Sequence, residues 1–363
     1  AALGDVEIRD ADRSVTDATS VVSRSPWQPY DAARDRHLVV FSQRVTALRD
    51  ADACAADVDA CSPLGTSRGQ YVRTADADGR SVAAGVSIGA RSAVTCGWFR
   101  GSVAFDADTE LDSVGLGNEP TGVHDAFVSF VSRTTGGLVV ARAVAASGSA
   151  SHDDRLFGAA ATRDGAWHVV VGSIVTGSSS STSLDFDGTA FGSIGGTDAL
   201  VAVIDDATGD VEWVDTLGSS DGIDALRGVA AGADFVVTVG SSTGIPQHGA
   251  PPADVFTGSA GAIIATVFVF EPADGLHRWG TAFSTTQSDG RAVASSVAVS
   301  ADSDIVAVGG WFSGTLQVGS TTLAQGCSGS YGAANNCFTA FIAALSAADG
   351  SVLWAVAAGH DAC

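Results

Sequence analysis

Three His-Asp dipeptides, His124-Asp125, His152-Asp153 and His360-Asp361, offer the raw material for general-base chemistry. An imidazole oriented by a carboxylate can activate a hydroxyl held within hydrogen-bond reach. The Gly-x-Ser-x-Gly spelling occurs, as at Gly85–Gly89 and Gly218–Gly222, but an elbow that exposes its serine needs a strand-turn-helix context, and no convincing helix follows any of these copies. His152 and His360 also fall in the same column of a repeated text, which favours a turn role over catalysis. No catalytic residue is assigned, and the expectation is a protein that is not an enzyme.

Asp-rich turns raise calcium next, best at Asp106, Asp108, Glu110 and Asp112. Hard cations take oxygen ligands, but the twelve-residue EF-hand loop and its closing Glu are missing. Asp and Gly are equally the ordinary residues of turns. Two carboxylates can also cleave a glycosidic bond, yet in a chain with 36 Asp any one pair says little. Trp98 and Trp311 share a column just after a strand-end Gly, so they form either an aromatic platform for a glycan or packing between sheets. The glycine runs lack the Lys of a phosphate-binding loop. No other cofactor is implied.

Six cysteines form an even set. Cys54/Cys61 and Cys327/Cys337 each bracket a polar loop, at spacings too long for redox or zinc-finger patterns. Loop-closing disulfides in an oxidising compartment fit them. By elimination Cys96 pairs with Cys363, or Cys363 bonds elsewhere.

The 41 acidic residues against 19 basic ones give a net charge of −22, and every basic residue is Arg. GC-rich coding and an acidic, hydrated exterior both produce such a balance. A nucleic-acid surface is excluded, because phosphate binding needs clustered positive charge. No apolar run approaches the twenty residues of a membrane helix. The chain begins with Ala, which reads as a processed, secreted protein.

Stepping along the chain, an acidic turn, an Arg and a small apolar strand recur near Arg13, Arg80, Arg155, Arg227 and Arg291, at offsets of 67, 75, 72 and 64 residues. Recurrence on this scale signals a repeat architecture. Second strands ending in Gly follow, over Ser92–Gly101, Trp167–Gly177, Phe235–Gly244 and Asp304–Gly314, with Gly97, Gly172, Gly240 and Gly309 in one column. A strand-end Gly fits a bulge or a close backbone approach. After a variable Ser/Gly/Thr loop come third strands at Asp125–Ser132, Asp198–Asp205, Ala262–Phe270 and Phe338–Ser346. Tight turns at Gly136, Gly209, Gly275 and Gly350 lead to fourth strands, three of them carrying Trp213, Trp279 or Trp354. The first repeat is degenerate, with His37–Leu48 and Gln70–Thr74 as its last two strands.

Four strands per unit, repeated in sheets of about 70 residues, describe the blades of an all-β propeller. About five four-stranded blades are expected over residues 13–363, or six or seven if the chain is part of a longer one. The Trp column is expected to pack between blades.

The text Asp198-Ala-Leu-Val-Ala-Val-Ile-Asp205, then Gly209, Trp213, Leu217-Gly218 and Val237–Gly240, resembles the SBBP-type β-propeller repeat over residues 80–359. The units here are longer, and the Asn of that family's Gly-Asn-Val turn is absent. The resemblance implies extracellular repeat modules without a shared catalytic site.

At the N-terminus, Gly4-Asp5-Val6-Glu7-Ile8 copies Gly209-Asp210-Val211-Glu212-Trp213. Residues 1–12 therefore hold a surplus strand, Asp5–Arg9, that closes the ring, adds to another molecule's sheet, or belongs to a blade outside this chain. The expected function is a secreted, non-catalytic structural or adhesive module of a cell-surface or appendage assembly, its partners other protein chains and its Ser178–Ser183 loop a place for O-glycans. The alternative is a glycan-binding or glycan-cleaving propeller.

Overall fold

The computed structural model describes residues 73–74, 80–105, 109–112, 124–146, 153–175, 184–192, 194, 196–219, 222–244, 262–287, 290–326 and 338–358. Asp5–Arg9, His37–Leu48, the first-repeat start at Arg13 and the loop Ser178–Ser183 lie outside the described residues. Every regular element within them is a β-strand.

Four antiparallel four-stranded blades follow one another along the chain. Blade I is β2 (Arg80–Ile88), β3 (Ser92–Arg100), β6 (Asp125–Ser132) and β7 (Leu138–Ala146). Blade II is β8 (Arg155–Ala161), β9 (Trp167–Val175), β12 (Thr197–Asp205) and β13 (Val211–Leu217). Blade III is β14 (Ala225–Ala231), β15 (Val236–Thr243), β16 (Ile263–Phe270) and β17 (His277–Thr285). Blade IV is β18 (Arg291–Val299), β19 (Ile305–Ser313), β22 (Thr339–Ser346) and β23 (Val352–Ala358). The fold is an all-β propeller, and the repeat starts read from the sequence at Arg80, Arg155, Arg227 and Arg291 fall in its first strands.

The third strands show why. In β12 the run from Asp198 to Ile204 is buried throughout, because blades cover both of its faces and alternation has no solvent side to serve. The glycine column has an equally direct cause. Each first strand carries a bulge, between Ala83 and Gly85, Leu156 and Gly158, Leu226 and Gly228, and Ala294 and Ser296. The residue facing it is Gly97, Gly172, Gly240 or Gly310, where a Cβ would sit 1.8, 2.0, 1.9 or 2.1 Å from a carbonyl oxygen of the bulged strand. Only a glycine lets the two backbones come that close. In blade IV the column is therefore held by Gly310, not by Gly309 as the sequence alignment has it.

Three hairpins were not legible as strands. They are β4 (Ser102–Ala104) with β5 (Glu110–Asp112), β10 (Leu184–Phe186) with β11 (Thr189–Phe191), and β20 (Leu316–Val318) with β21 (Thr321–Leu323). Each arises in the connection between second and third strands and reaches back to the preceding blade's outer edge: β10 pairs with β7 and β20 with β17. β4 pairs in the same way with β1 (Arg73–Thr74), the end of the segment expected as the first repeat's fourth strand. The hairpins cover outer edges that would otherwise present unpaired backbone.

The blades are joined at their seams by a second set of contacts. Single parallel bridges link His124 to Asp153, Thr197 to Ile223 and Ile263 to Arg291. At the opposite end, the Trp213 and Trp279 indoles donate to the carbonyls of Pro272 and Ala347, 2.8 Å away in each case, both in the next blade's turn. Trp213 and Trp279 thus pack between blades, as expected, whereas Trp354, the third of the column, is exposed. Arg163 of blade II donates to the Ala301 carbonyl of blade IV at 2.8 Å, so non-adjacent blades also meet.

Gly172→Ala is expected to cost about 3 kcal/mol, whereas Gly192→Ala, with open space at its Cβ position, should stay within about 0.5 kcal/mol. Urea denaturation of both variants checks the contrast.

Candidate functional site

The described residues hold one serine–histidine–carboxylate chain, and it spans the seam of blades I and II. Ser87 is the last but one residue of β2, Ser92 opens β3, His168 lies in β9, and Asp206 follows β12. Ser87 Oγ lies 2.6 Å from His168 Nδ1, and His168 Nε2 lies 2.8 Å from Asp206 Oδ1. Ser92 adds its hydroxyl and backbone N–H to the same carboxylate oxygen at 2.6 and 2.9 Å, and Arg91 N–H donates to Oδ2 at 2.6 Å. Gly89 makes room for all this, since a Cβ there would lie 2.3 Å from Asp206 Oδ1.

The protonation states follow from the surroundings. Burial holds the His168 pKa below its ordinary 6.5, against the pull of Asp206. Burial would raise Asp206, but hydrogen bonds from Ser92, His168 and Arg91 outweigh it and lower its pKa. A neutral imidazole beside an ionised carboxylate carries its proton on Nε2, so Nδ1 accepts from Ser87. This is the hydrogen-bond order of an activated serine. Access decides against that role: Ser87 is 6% exposed, Asp206 4% and His168 0%. A nucleophile must present its oxygen to a carbonyl carbon, and here the hydroxyl is sealed between two sheets. The Phe130 ring closes the imidazole's edge at 5.7 Å. The arrangement is a polar clasp.

The sequence offered other histidines. His124 does pair with an aspartate, but with Asp153 of the next blade at 2.8 Å rather than with its neighbour Asp125. Arg155 binds Asp153 through two nitrogens, each at 2.8 Å, and lays its guanidinium 5.3 Å from the Trp98 ring centroid. His152 and His360 lie outside the described residues. Nothing in the sequence marked His168, because its partners stand 38 and 81 positions away.

A second buried feature recurs at the blades' other end. Asp154 and Asp224 each precede a first strand, Asp125 opens the third strand β6 and Asp198 is the second residue of the third strand β12; all four are buried. Asp154 Oδ1 accepts from Val175 N–H at 2.8 Å, while its Oδ2 has no hydrogen-bond partner among the described residues. Burial pushes the Asp154 pKa well up, with Asp125 and Asp153 adding to the rise. Burial also raises Asp224, against hydrogen bonds from Ser242, Ser219 and Thr243.

The remaining sequence candidates are placed as follows. Glu110 and Asp112 stand two apart on β5, Glu110 exposed, whereas Asp106 and Asp108 lie outside the described residues. Trp98 sits edge-on to Phe157 at 6.0 Å and Trp311 edge-on to Phe338 at 4.7 Å; the two belong to blades I and IV and have different partners. Cys96 is a free, fully buried thiol, its pKa pushed up to about 12 by burial. The sequence left it to pair with Cys363; it sits instead in mid-strand against Gly85, and Cys363 lies outside the described residues. So do Cys54, Cys61, Cys327 and Cys337.

No family model matches the chain, and no curated protein matches it. Among solved structures it is similar to the Pan2 WD40 domain of Neurospora crassa, at 11% identity and TM-score 0.20, covering 63% of this chain and 86% of that one. It is also similar to TolB of Acinetobacter baumannii, at 10% identity and TM-score 0.25, covering 80% of this chain and 63% of that one.

Two outcomes are expected. His168→Ala leaves the buried Ser87 hydroxyl without its acceptor and takes one donor from the Asp206 carboxylate, and should cost roughly 3 kcal/mol, read by chemical denaturation. For Asp154, whose folded pKa is raised, the unfolded state ionises first, so stability falls as pH rises above 3.8 toward the folded value. Asp154→Asn removes that loss, and its melting temperature should exceed the parent's at pH 7 and match it below pH 3.8.

Proposed function

We propose that this propeller is a non-catalytic structural or adhesive module of an extracellular or cell-surface assembly, built from SBBP-type repeats and bound to other protein chains. The observation that carries the reading is the burial of the Ser87–His168–Asp206 chain: the residues that resemble catalytic machinery are spent on holding two blades together. The acidic excess of the chain supports a hydrated exterior. Calcium at the Asp106–Asp112 turn, disulfides at Cys54/Cys61 and Cys327/Cys337, and O-glycans on the Ser-rich loop belong to the same proposal.

The glycan reading gains less support. The Trp98 ring is engaged by Arg155 and Phe157, which is how packing rather than an open platform uses an indole.

Two measurements test the proposal. A fluorophosphonate probe should leave the folded chain unlabelled; labelling at Ser87 that disappears in Ser87→Ala would contradict it. Fractionation of the producing cells should recover the chain outside the cytoplasm in a complex larger than a monomer, and a cytoplasmic monomer would sink the assembly reading.

A further inference from the structure

Blade IV differs from blades I to III in one respect. The third strands β6, β12 and β16 are buried almost without interruption, whereas β22 alternates buried and open residues from Thr339 to Ala343. Its inward set, Phe341, Ala343 and Leu345, is at most 1% exposed and joins the core shared with blade III. Its other face is apolar and open except at Ala344, which is 1% exposed. Ile342 stands opposite Val356 and Ala344 opposite Trp354, so Ile342, Trp354 and Val356 share that face with Ile305, and all four are exposed.

The other blades show what such a face requires. Val140, Trp213 and Trp279 occupy one register position of the fourth strand, just after a register shift. Each lies against the turn glycine of the following blade, Gly209, Gly275 and Gly350, within 2.6 to 3.0 Å of its Cβ position. The two Trp also donate to a turn carbonyl there. Trp354 holds the same register on blade IV, yet is 49% exposed. An indole normally finds a partner for its N–H when it packs; among the described residues no blade follows blade IV to supply one.

We propose that the open face of blade IV is the seat of residues 13–72 of the same chain. Three observations select this occupant. The segment makes up most of the 67-residue repeat that runs from Arg13 to the next start at Arg80. It runs into β1, which the β4–β5 hairpin of blade I holds as β7 and β17 are held by their hairpins, so Arg73–Thr74 occupy the place of an outer strand ahead of blade I. Finally, the segment carries an apolar run, Leu38-Val-Val-Phe41, of the kind the other third strands bury. The surface is thus a docking face for the chain's own N-terminal repeat, with Trp354 as its central anchor.

The test uses the full chain with p-benzoylphenylalanine in place of Trp354 or, in a second variant that keeps the indole, of Val356. After irradiation, the expected product runs at monomer mass, and mass spectrometry places the cross-link within residues 13–72. Cross-linking at dimer mass would assign the face to a second copy and overturn the proposal. So would cross-links confined to other segments, or an absence of cross-linking from both positions in folded protein.

Discussion

A four-stranded sheet of this composition has two apolar faces and no way to bury either by itself, so the governing constraint is that each blade must be covered by the next. Burial of apolar area is the main favourable term in folding, and here it is available only across seams. The three cores containing Phe341, Leu200 and Phe268 each draw residues from more than one blade. Everything else in the structure arranges how one sheet meets its neighbour.

Each seam is fastened at several heights. Beside the hub, parallel bridges join the start of one third strand to the entry of the following first strand. Toward the rim, fourth-strand side chains pack on turn glycines of the next blade. At the edge a hairpin reaches back to the outer strand. Arg142 ties two of these levels together, pairing with Asp187 of the hairpin turn while donating to Gly209 of the next blade at 3.2 Å. The Ser87–His168–Asp206 chain is one more fastening, in which polar atoms replace apolar ones and must then all be satisfied.

The strands were legible because burial on both faces writes continuous Val, Ile and Ala runs between turn residues. Asp125–Ser132 agrees at both ends with β6, and most others differ by one or two residues. The hairpins were missed since three-residue strands leave no periodicity, although Asp187-Gly188 between Leu184–Phe186 and Thr189–Phe191 is a turn signal, and both residues do have positive φ, 56° and 80°. Gly309 and Gly310 adjoin, so only the register opposite the bulge could tell them apart. The His124-Asp125 dipeptide pointed to the wrong partner because successive residues entering a strand face opposite sides of the sheet. His124 meets Asp153 across a seam, and His168 meets Asp206 by a topology that no local pattern records.

If the seams govern, the blades cannot unfold one at a time. Differential scanning calorimetry of the full chain measures this directly, through the ratio of calorimetric to van't Hoff enthalpy. The account predicts equality, a single cooperative transition of the whole ring. A calorimetric enthalpy several times smaller or larger, or resolved transitions for separate groups of blades, would contradict it.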